Sequence, residues 1–260
     1  MKTNIVPRFT RIALLLGLAI AGTPLVTFAA DQVVAWGYNP AVPSGLTNVV
    51  AVASGRDHSL ALQANGTVVA WGDNDAGGTN VPPGLANVVA IAAGFWHNLA
   101  LRDDGTVAAW GAGLTNSGVW PVLGQALVPA DLSDVVAIAV GGTHSLALKG
   151  DGTVVAWGDN SSGQTDVPPK LANIVAIAAG DSHSLALRAD GTVVAWGATQ
   201  ASAVNVPAGL SNVVAIDAGA FDSLALRADG TVIAWGHYVY SEGGWVPDPV
   251  IVPAWLTNEP

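Results

Sequence analysis

SHSLALRADGTVVAWG, residues 182–197, decides how this chain is read. Close copies stand at DHSLALQANGTVVAWG (57–72), WHNLALRDDGTVAAWG (96–111), THSLALKGDGTVVAWG (143–158) and FDSLALRADGTVIAWG (221–236). In the first-quoted copy Leu185 and Leu187 alternate with Ser184 and Ala186, the period of a strand. Asp190–Gly191 supplies the positive-φ position of a tight hairpin. TVVAWG is then a further strand, ending on Trp196 and Gly197. Upstream, IVAIAAG (174–180) is a β-branched and small apolar run stopped by a glycine, which predicts a buried inner strand. Each unit therefore holds three short strands and no helix. A Gly- and Pro-punctuated loop leads to the next unit.

The turn glycines Gly66, Gly105, Gly152, Gly191 and Gly230 are spaced 39, 47, 39 and 39 residues apart. The long interval contains an eight-residue insertion within GAGLTNSGVWPVLGQALVPA (111–130). QVVAWG (32–37) is a sixth copy of the third strand alone. A period near 40 with several strands per unit points to a propeller or a β-solenoid. A three-stranded sheet buries neither face alone, so neighbours must cover each other. Small inner-strand alanines (Ala90, Ala92, Ala93; Ala176, Ala178, Ala179) suit crowding near an axis. Trp71, Trp110, Trp157, Trp196 and Trp235 suit the wider rim, and this taper favours the propeller.

The pattern A-G-x-x-H-S-L-A-L … D-G-x-V-x-x-W-G resembles the RCC1 (regulator of chromosome condensation) repeat family, over about residues 32–236. The short units, the leader and the lone first strand make the chain most similar to secreted bacterial β-lactamase inhibitors of that family. The resemblance implies an all-β, RCC1-like propeller of three-stranded blades, with five full repeats and an incomplete sixth blade. Three closures are open. Val250–Val252 can pair with Val33–Ala35, the ring can stay open with exposed edges, or the gene is a shortened descendant of a longer propeller.

Residues 1–30 read as a separate object. Lys2, Arg8 and Arg11 precede an apolar run from Ile12 to Ala21 and a small-residue exit near Ala29 or Ala30, the order of a secretory signal. The apolar run is short for a bilayer span. The expectation is a cleaved leader, a propeller domain over residues 31–260, and a secreted or periplasmic protein with no membrane attachment. Loss of the leader takes the net charge from −10 to −13. Such an acidic surface repels phosphate backbones, so nucleic acid is not expected as a partner. There is no cysteine, which excludes disulfides and thiolate metal sites.

Strand count places the loops. With three antiparallel strands, the loops after the inner and third strands leave on one side and the Asp–Gly turns on the other. The turns barely vary: ANG, DDG, GDG, ADG and ADG. The inner loops vary sharply, with Arg56–Asp57, Phe95–Trp96, Gly142–Thr143, Asp181–Ser182 and Ala220–Phe221. The outer loops add Trp120 in the insertion and Tyr238, Tyr240 and Trp245 near the end. A constant scaffold under variable loops is a common way to build a binding surface, and aromatics on such loops are candidate anchors. For Phe95, Trp96 and Phe221 plugging of the central channel stands equally open. Packing over a blade edge is the alternative for Trp120 and Trp245.

His58, His97, His144 and His183 recur in one slot, which Asp222 holds in the fifth unit. A residue repeated around a ring points to hydrogen bonding with the neighbouring blade's backbone rather than to a metal or a catalytic imidazole. Asp73–Asn74–Asp75 and Asp159–Asn160 lack EF-hand spacing and read as Asx-turn caps. No nucleophile elbow, zinc-protease motif or P-loop occurs, and no cofactor or metal is expected. The expected function is a secreted, non-enzymatic protein-binding module acting through the loop face. Inhibition of an extracytoplasmic enzyme in the β-lactamase-inhibitor manner is one candidate. The alternative is a glycan- or cell-envelope-binding propeller using the same aromatics.

Overall fold

The structure, a computed structural model, describes residues 33–35, 42–119, 121–198, 202–236, 238–241 and 244–247, with backbone only for 116–119 and from 238 onward. Residues 1–30, expected to be a leader, Trp120 and Val250–Val252 lie outside the described residues. Of the lone first copy, residues 33–35 are described and join no strand ladder. The described strands form five three-stranded blades in chain order. Blade I is β1 (Val49–Ser54), β2 (His58–Gln63) and β3 (Val68–Gly72). Blade II is β4 (Val88–Ala93), β5 (His97–Arg102) and β6 (Val107–Gly111). The insertion folds into its own small hairpin, β7 (Asn116–Val119) with β8 (Val122–Leu123). Blade III is β9 (Val135–Val140), β10 (His144–Lys149) and β11 (Val154–Gly158). Blade IV is β12 (Ile174–Ala179), β13 (His183–Arg188) and β14 (Val193–Gly197). Blade V is β15 (Val213–Ala218), β16 (Asp222–Arg227) and β17 (Val232–Gly236). A partial sixth unit follows as the hairpin β18 (Tyr238–Ser241) and β19 (Gly244–Pro247).

Every blade is an antiparallel meander, and successive inner strands stand side by side. Period-two alternation gives each sheet two apolar faces. One carries the Leu-x-Leu pair of the middle strand and the first valine of the third. The other carries the tryptophan and the inner-strand isoleucine. The first face of each blade packs on the second face of the next, as Leu146, Leu148 and Val154 of blade III do on Ile177 and Trp196 of blade IV. The paired leucines of blades I to IV are at most 4% exposed. Leu226 of blade V, in the same slot, is 38% exposed, and Trp71 on the opposite face of blade I is only half-buried. These two outer faces are thus more exposed than the faces between blades, in keeping with a ring whose sixth blade is partial.

Around the axis the blades meet at glycines. A Cβ on Gly55, Gly94, Gly141 or Gly180 would overlap the carbonyl oxygen of Gly94, Gly141, Gly180 or Gly219 of the following blade. The absence of a side chain is therefore what lets the inner strands approach.

The inner strands are less continuous than their apolar sequence predicts. A β-bulge interrupts each after its first residue, as between Val49 and Ala51 or Ile174 and Ala176. The extra residues Val50, Val89, Val136, Val175 and Val214 are 37–59% exposed instead of buried. The cause lies one step upstream. Asn48, Asn87, Asp134, Asn173 and Asn212 take left-handed φ angles of 53–58°, which Asn and Asp tolerate best after Gly.

In the hairpin turns the hydroxyl of the threonine two residues on, the largest cause for Asp104 and Asp190, and its backbone N–H, the largest for Asp151 and Asp229, hold these carboxyls below the usual range, each aspartate accepting that N–H at 2.9–3.0 Å. Asn65 likewise accepts the Thr67 N–H in blade I. Asn65→Asp is therefore expected to leave stability within about 0.5 kcal/mol of the parent, measurable by denaturant titration.

Candidate partner-binding face

In blades I to IV the inner loop is tied to the outer loop of its own blade by one backbone bond. Asp73 N–H donates to Asp57 O at 2.8 Å, Ala112 to Trp96 at 2.8 Å, Asp159 to Thr143 at 2.9 Å and Ala198 to Ser182 at 2.8 Å. The two variable loop sets thus share one end of the propeller. The Asp–Gly turns occupy the other, bonded to the start of the inner strands, as Ala64 N–H to Asn48 O at 2.8 Å. A groove of about 500 Å3 lies at that turn end between blades II and III. Asp104, Asp134, Asp151, Lys149 and Val136 line it, with no aromatic among its lining residues.

Between blades a three-way clamp supports the loop end. His58 Nε2 reaches Asn98 Oδ1 of the next blade at 2.6 Å, and His97, His144 and His183 reach the hydroxyls of Ser145, Ser184 and Ser223 at 2.9–3.0 Å. The acceptor is a side chain, not the backbone expected from sequence. That side chain passes the bond on to an outer-loop carbonyl: Gly78 from Asn98, Gln125 from Ser145, Gln164 from Ser184 and Ala203 from Ser223. A serine hydroxyl has one proton, and here it is committed to the carbonyl, so the imidazole must donate from Nε2. Three tryptophans donate to the same carbonyls, Trp110 to Gly78, Trp196 to Gln164 and Trp235 to Ala203, at 2.7–2.9 Å. At the joint after the insertion the fourth, Trp157, leaves its Nε1 buried without a partner. Burial holds His97 and His144 down to about 3 and His183 to about 4, so these imidazoles are neutral struts. Among the described residues no group of three His, Cys, Asp or Glu side chains converges as a metal site. Asp73 and Asp159 cap Asx turns, accepting from Asp75 and Ser161 N–H at 2.9 Å.

Above these struts the inner loops of blades II to V are linked in series. Phe95 N–H donates to Gly142 O and Gly142 N–H to Gly180 O, both at 3.3 Å, and Asp181 N–H donates to Ala220 O at 3.2 Å. The Phe95 ring edge lies over Gly142, 3.3 Å from where a Cβ would be. Phe95 therefore leans on its neighbour toward the hub. The guanidinium of Arg56 lies over both aromatic rings of blade II, 5.8 Å from the Phe95 centroid and 5.3 Å from that of Trp96. Its Nε is 3.5 Å from Asp57 Oδ2. Burial pushes the Asp181 carboxyl up to about 6, and the charge of Arg56 pulls against that rise. The loops of blades I, II and IV thus share one electrostatic neighbourhood. A narrow crevice beside it is lined by Asp57, Asp73, His58, Phe95 and Trp96.

Of the residues singled out by sequence, Arg56, Asp57, Phe95, Trp96 and Asp181 come together. Phe221 stands on the adjacent loop, 42% exposed. Tyr238, Tyr240 and Trp245 lie on β18 and β19, where Tyr240 is opposite Trp245 and Tyr238 opposite Pro247; their side chains, like Trp120, fall outside the described residues. Sequence reasoning named Gly142 as an inner-loop residue without showing that its bare backbone seats Phe95, and it missed Gln125 and Gln164, fully buried in the outer loops. The positions of Gly78, Gln125, Gln164 and Ala203 repeat at the unit spacing, which was the signal available.

A family model described as Regulator of chromosome condensation (RCC1) repeat matches residues 49–77, 88–118, 135–164 and 174–200. Prp20p from Saccharomyces cerevisiae, whose structure is described with its binding properties to Gsp1p and histones, is similar at 25% identity and a TM-score of 0.61. That match covers 75% of this chain and 58% of the yeast protein. The ectodomain of the Physcomitrella patens receptor kinase CR4 is similar at 26% identity and a TM-score of 0.61, covering 76% of this chain and 53% of that one. Human WBSCR16, at 19% identity and a TM-score of 0.62, covers 80% and 66% and shares the fold. The chain thus spans between about half and two thirds of the length of these three. None of the curated proteins compared matches it.

Proposed function

Given that the chain belongs to the RCC1-repeat propellers, we propose that it is an extracytoplasmic, non-enzymatic protein-binding module that engages its partner through the loop end. The observation that carries this reading is the convergence of Arg56, Phe95, Trp96 and Asp181 from three blades onto one half-exposed patch. Aromatics and an arginine gathered on a partly exposed surface are the usual ingredients of an interface hot spot. The turn end, uniform from blade to blade, serves as scaffold. The fold supports a module that binds proteins, as the yeast relative binds Gsp1p and histones. Secretion through residues 1–30, and inhibition of an enzyme of the β-lactamase type, are the finer parts of the proposal.

The test is a pull-down from periplasmic or culture fluid with the protein and with its Phe95→Ala/Trp96→Ala variant, followed by inhibition assays on purified β-lactamases. The partner is expected to lose about 30-fold or more in affinity for the variant, the effect of removing one strong anchor. Equal capture by both proteins counts against the loop face. A glycan-array signal with no protein partner would favour carbohydrate binding by the same aromatics.

A further inference from the structure

Arg56 sits where a visiting cation would sit. Its guanidinium lies over the Trp96 and Phe95 rings at 5.3 and 5.8 Å, beside the Asp57 carboxylate at 3.5 Å. Asp181, arriving from blade IV, sets its Cα and carbonyl against Gly142 where the Phe95 ring edge also lies, and it feels the same charge. Two aromatic faces with carboxylates around them form the general chemistry for holding a cation. The occupant is loosely held. Arg56 is 52% exposed along its side chain and its ion pair is with its own sequence neighbour, a contact worth little in water. A long side chain held this way can swing out, leaving the rings and both carboxylates in place.

We propose that Phe95, Trp96, Asp57 and Asp181 form a cation seat for an arginine or lysine side chain of a basic protein partner, with Arg56 as the built-in occupant that the partner's cation displaces. The chain's net charge of −10 favours encounter with a basic partner. A built-in occupant lowers apparent affinity for every cation that must compete with it, and so selects for partners offering further contacts. The inference rests on the loop face being the partner-binding face.

The probe is the peptide acetyl-Gly-Arg-Gly-amide, with citrulline in place of arginine as its uncharged counterpart. Both are titrated into the full protein, Arg56→Ala and Arg56→Ala/Trp96→Ala, following indole N–H resonances by NMR. Arg56→Ala is expected to bind the arginine peptide about fivefold tighter than the parent, the factor that one exposed cation–π contact corresponds to. The citrulline peptide should not bind, and removing Trp96 should cancel the gain. No gain in Arg56→Ala, or equal binding of the citrulline peptide, overturns the seat. If a captured partner depends on Phe95 and Trp96 while Arg56→Ala shows no gain, the seat fails and the loop-face reading stands. If capture ignores Phe95 and Trp96, the loop-face reading fails whatever the peptide does.

Discussion

Lowering the pH from 7 toward 4 is expected to destabilise the propeller steeply. His97 and His144 are held near 3 and His183 near 4, against an ordinary value of 6.5. Burial is the main cause in each. For His97 and His144 the Nδ1 atom is also buried without a partner, so a second ring proton would have nowhere to bond. The sign follows from proton uptake. Between about pH 6.5 and 4 the unfolded chain protonates these imidazoles and the folded chain does not, so stability is full above 6.5 and falls with pH. Each such histidine contributes a slope of about 1.4 kcal/mol per pH unit, so three give about 4 kcal/mol per unit at the steepest. Asp181 and Asp217 act in the opposite sense, because burial raises their carboxyls and the folded state takes up their protons first. Both are partly exposed, which weakens the offset, and the net effect remains a loss. The turn aspartates, held below the usual range, add to the loss only at lower pH still. Denaturant midpoints at pH 7, 6, 5 and 4 measure it; a flat profile would mean that the imidazoles are not neutral struts.

Trp196→Ala is expected to cost about 3–5 kcal/mol, the range for emptying a buried tryptophan site. Trp196 is 6% exposed and packs with Leu146, Leu148, Val154 and Ile174 across the joint between blades III and IV. Its Nε1 also donates to Gln164 O at 2.9 Å. That carbonyl keeps the Ser184 hydroxyl as donor, so the loss comes mainly from the cavity. Folded domains are stable by only about 5–15 kcal/mol, so the change should move the guanidinium midpoint far. Trp71→Ala is the matched control: the same slot, half-buried, with a clearly smaller loss expected. Equal losses at both positions would show that interblade packing does not set the cost.

Most of the fold was legible because one hairpin is written five times, and repetition turns a weak local signal into a strong one. Leu-x-Leu alternation, the Asp–Gly turn and the Trp–Gly ending each found their strand. The bulges were not legible. A run such as VVAIAA reads as continuously buried, and only the left-handed Asn or Asp before it shows that its second valine must turn outward. The histidine slot was read correctly as structural, but its partner lies about forty residues on, in the next blade. The loop face was legible as a face and illegible as a site. Arg56 and Trp96 are brought together by the turn of one blade against the next, and no local spacing encodes that angle. The insertion was placed by counting, whereas its hairpin rests on Asn116 pairing with Leu123, which alternation over so few residues does not reveal.

The sameness of the joints leaves the molecule without a means of counting. Excising residues 174–212 would bring Val213 after Asn173, and His144 would find Ser223 where Ser184 had been. Every remaining seam would be chemically complete, with a smaller wheel or a wider gap as the result. Wheels of different size are therefore close neighbours in sequence space, separated by a single in-frame duplication or loss. A lineage using this joint can change the diameter of its binding face faster than it can change the chemistry beneath it.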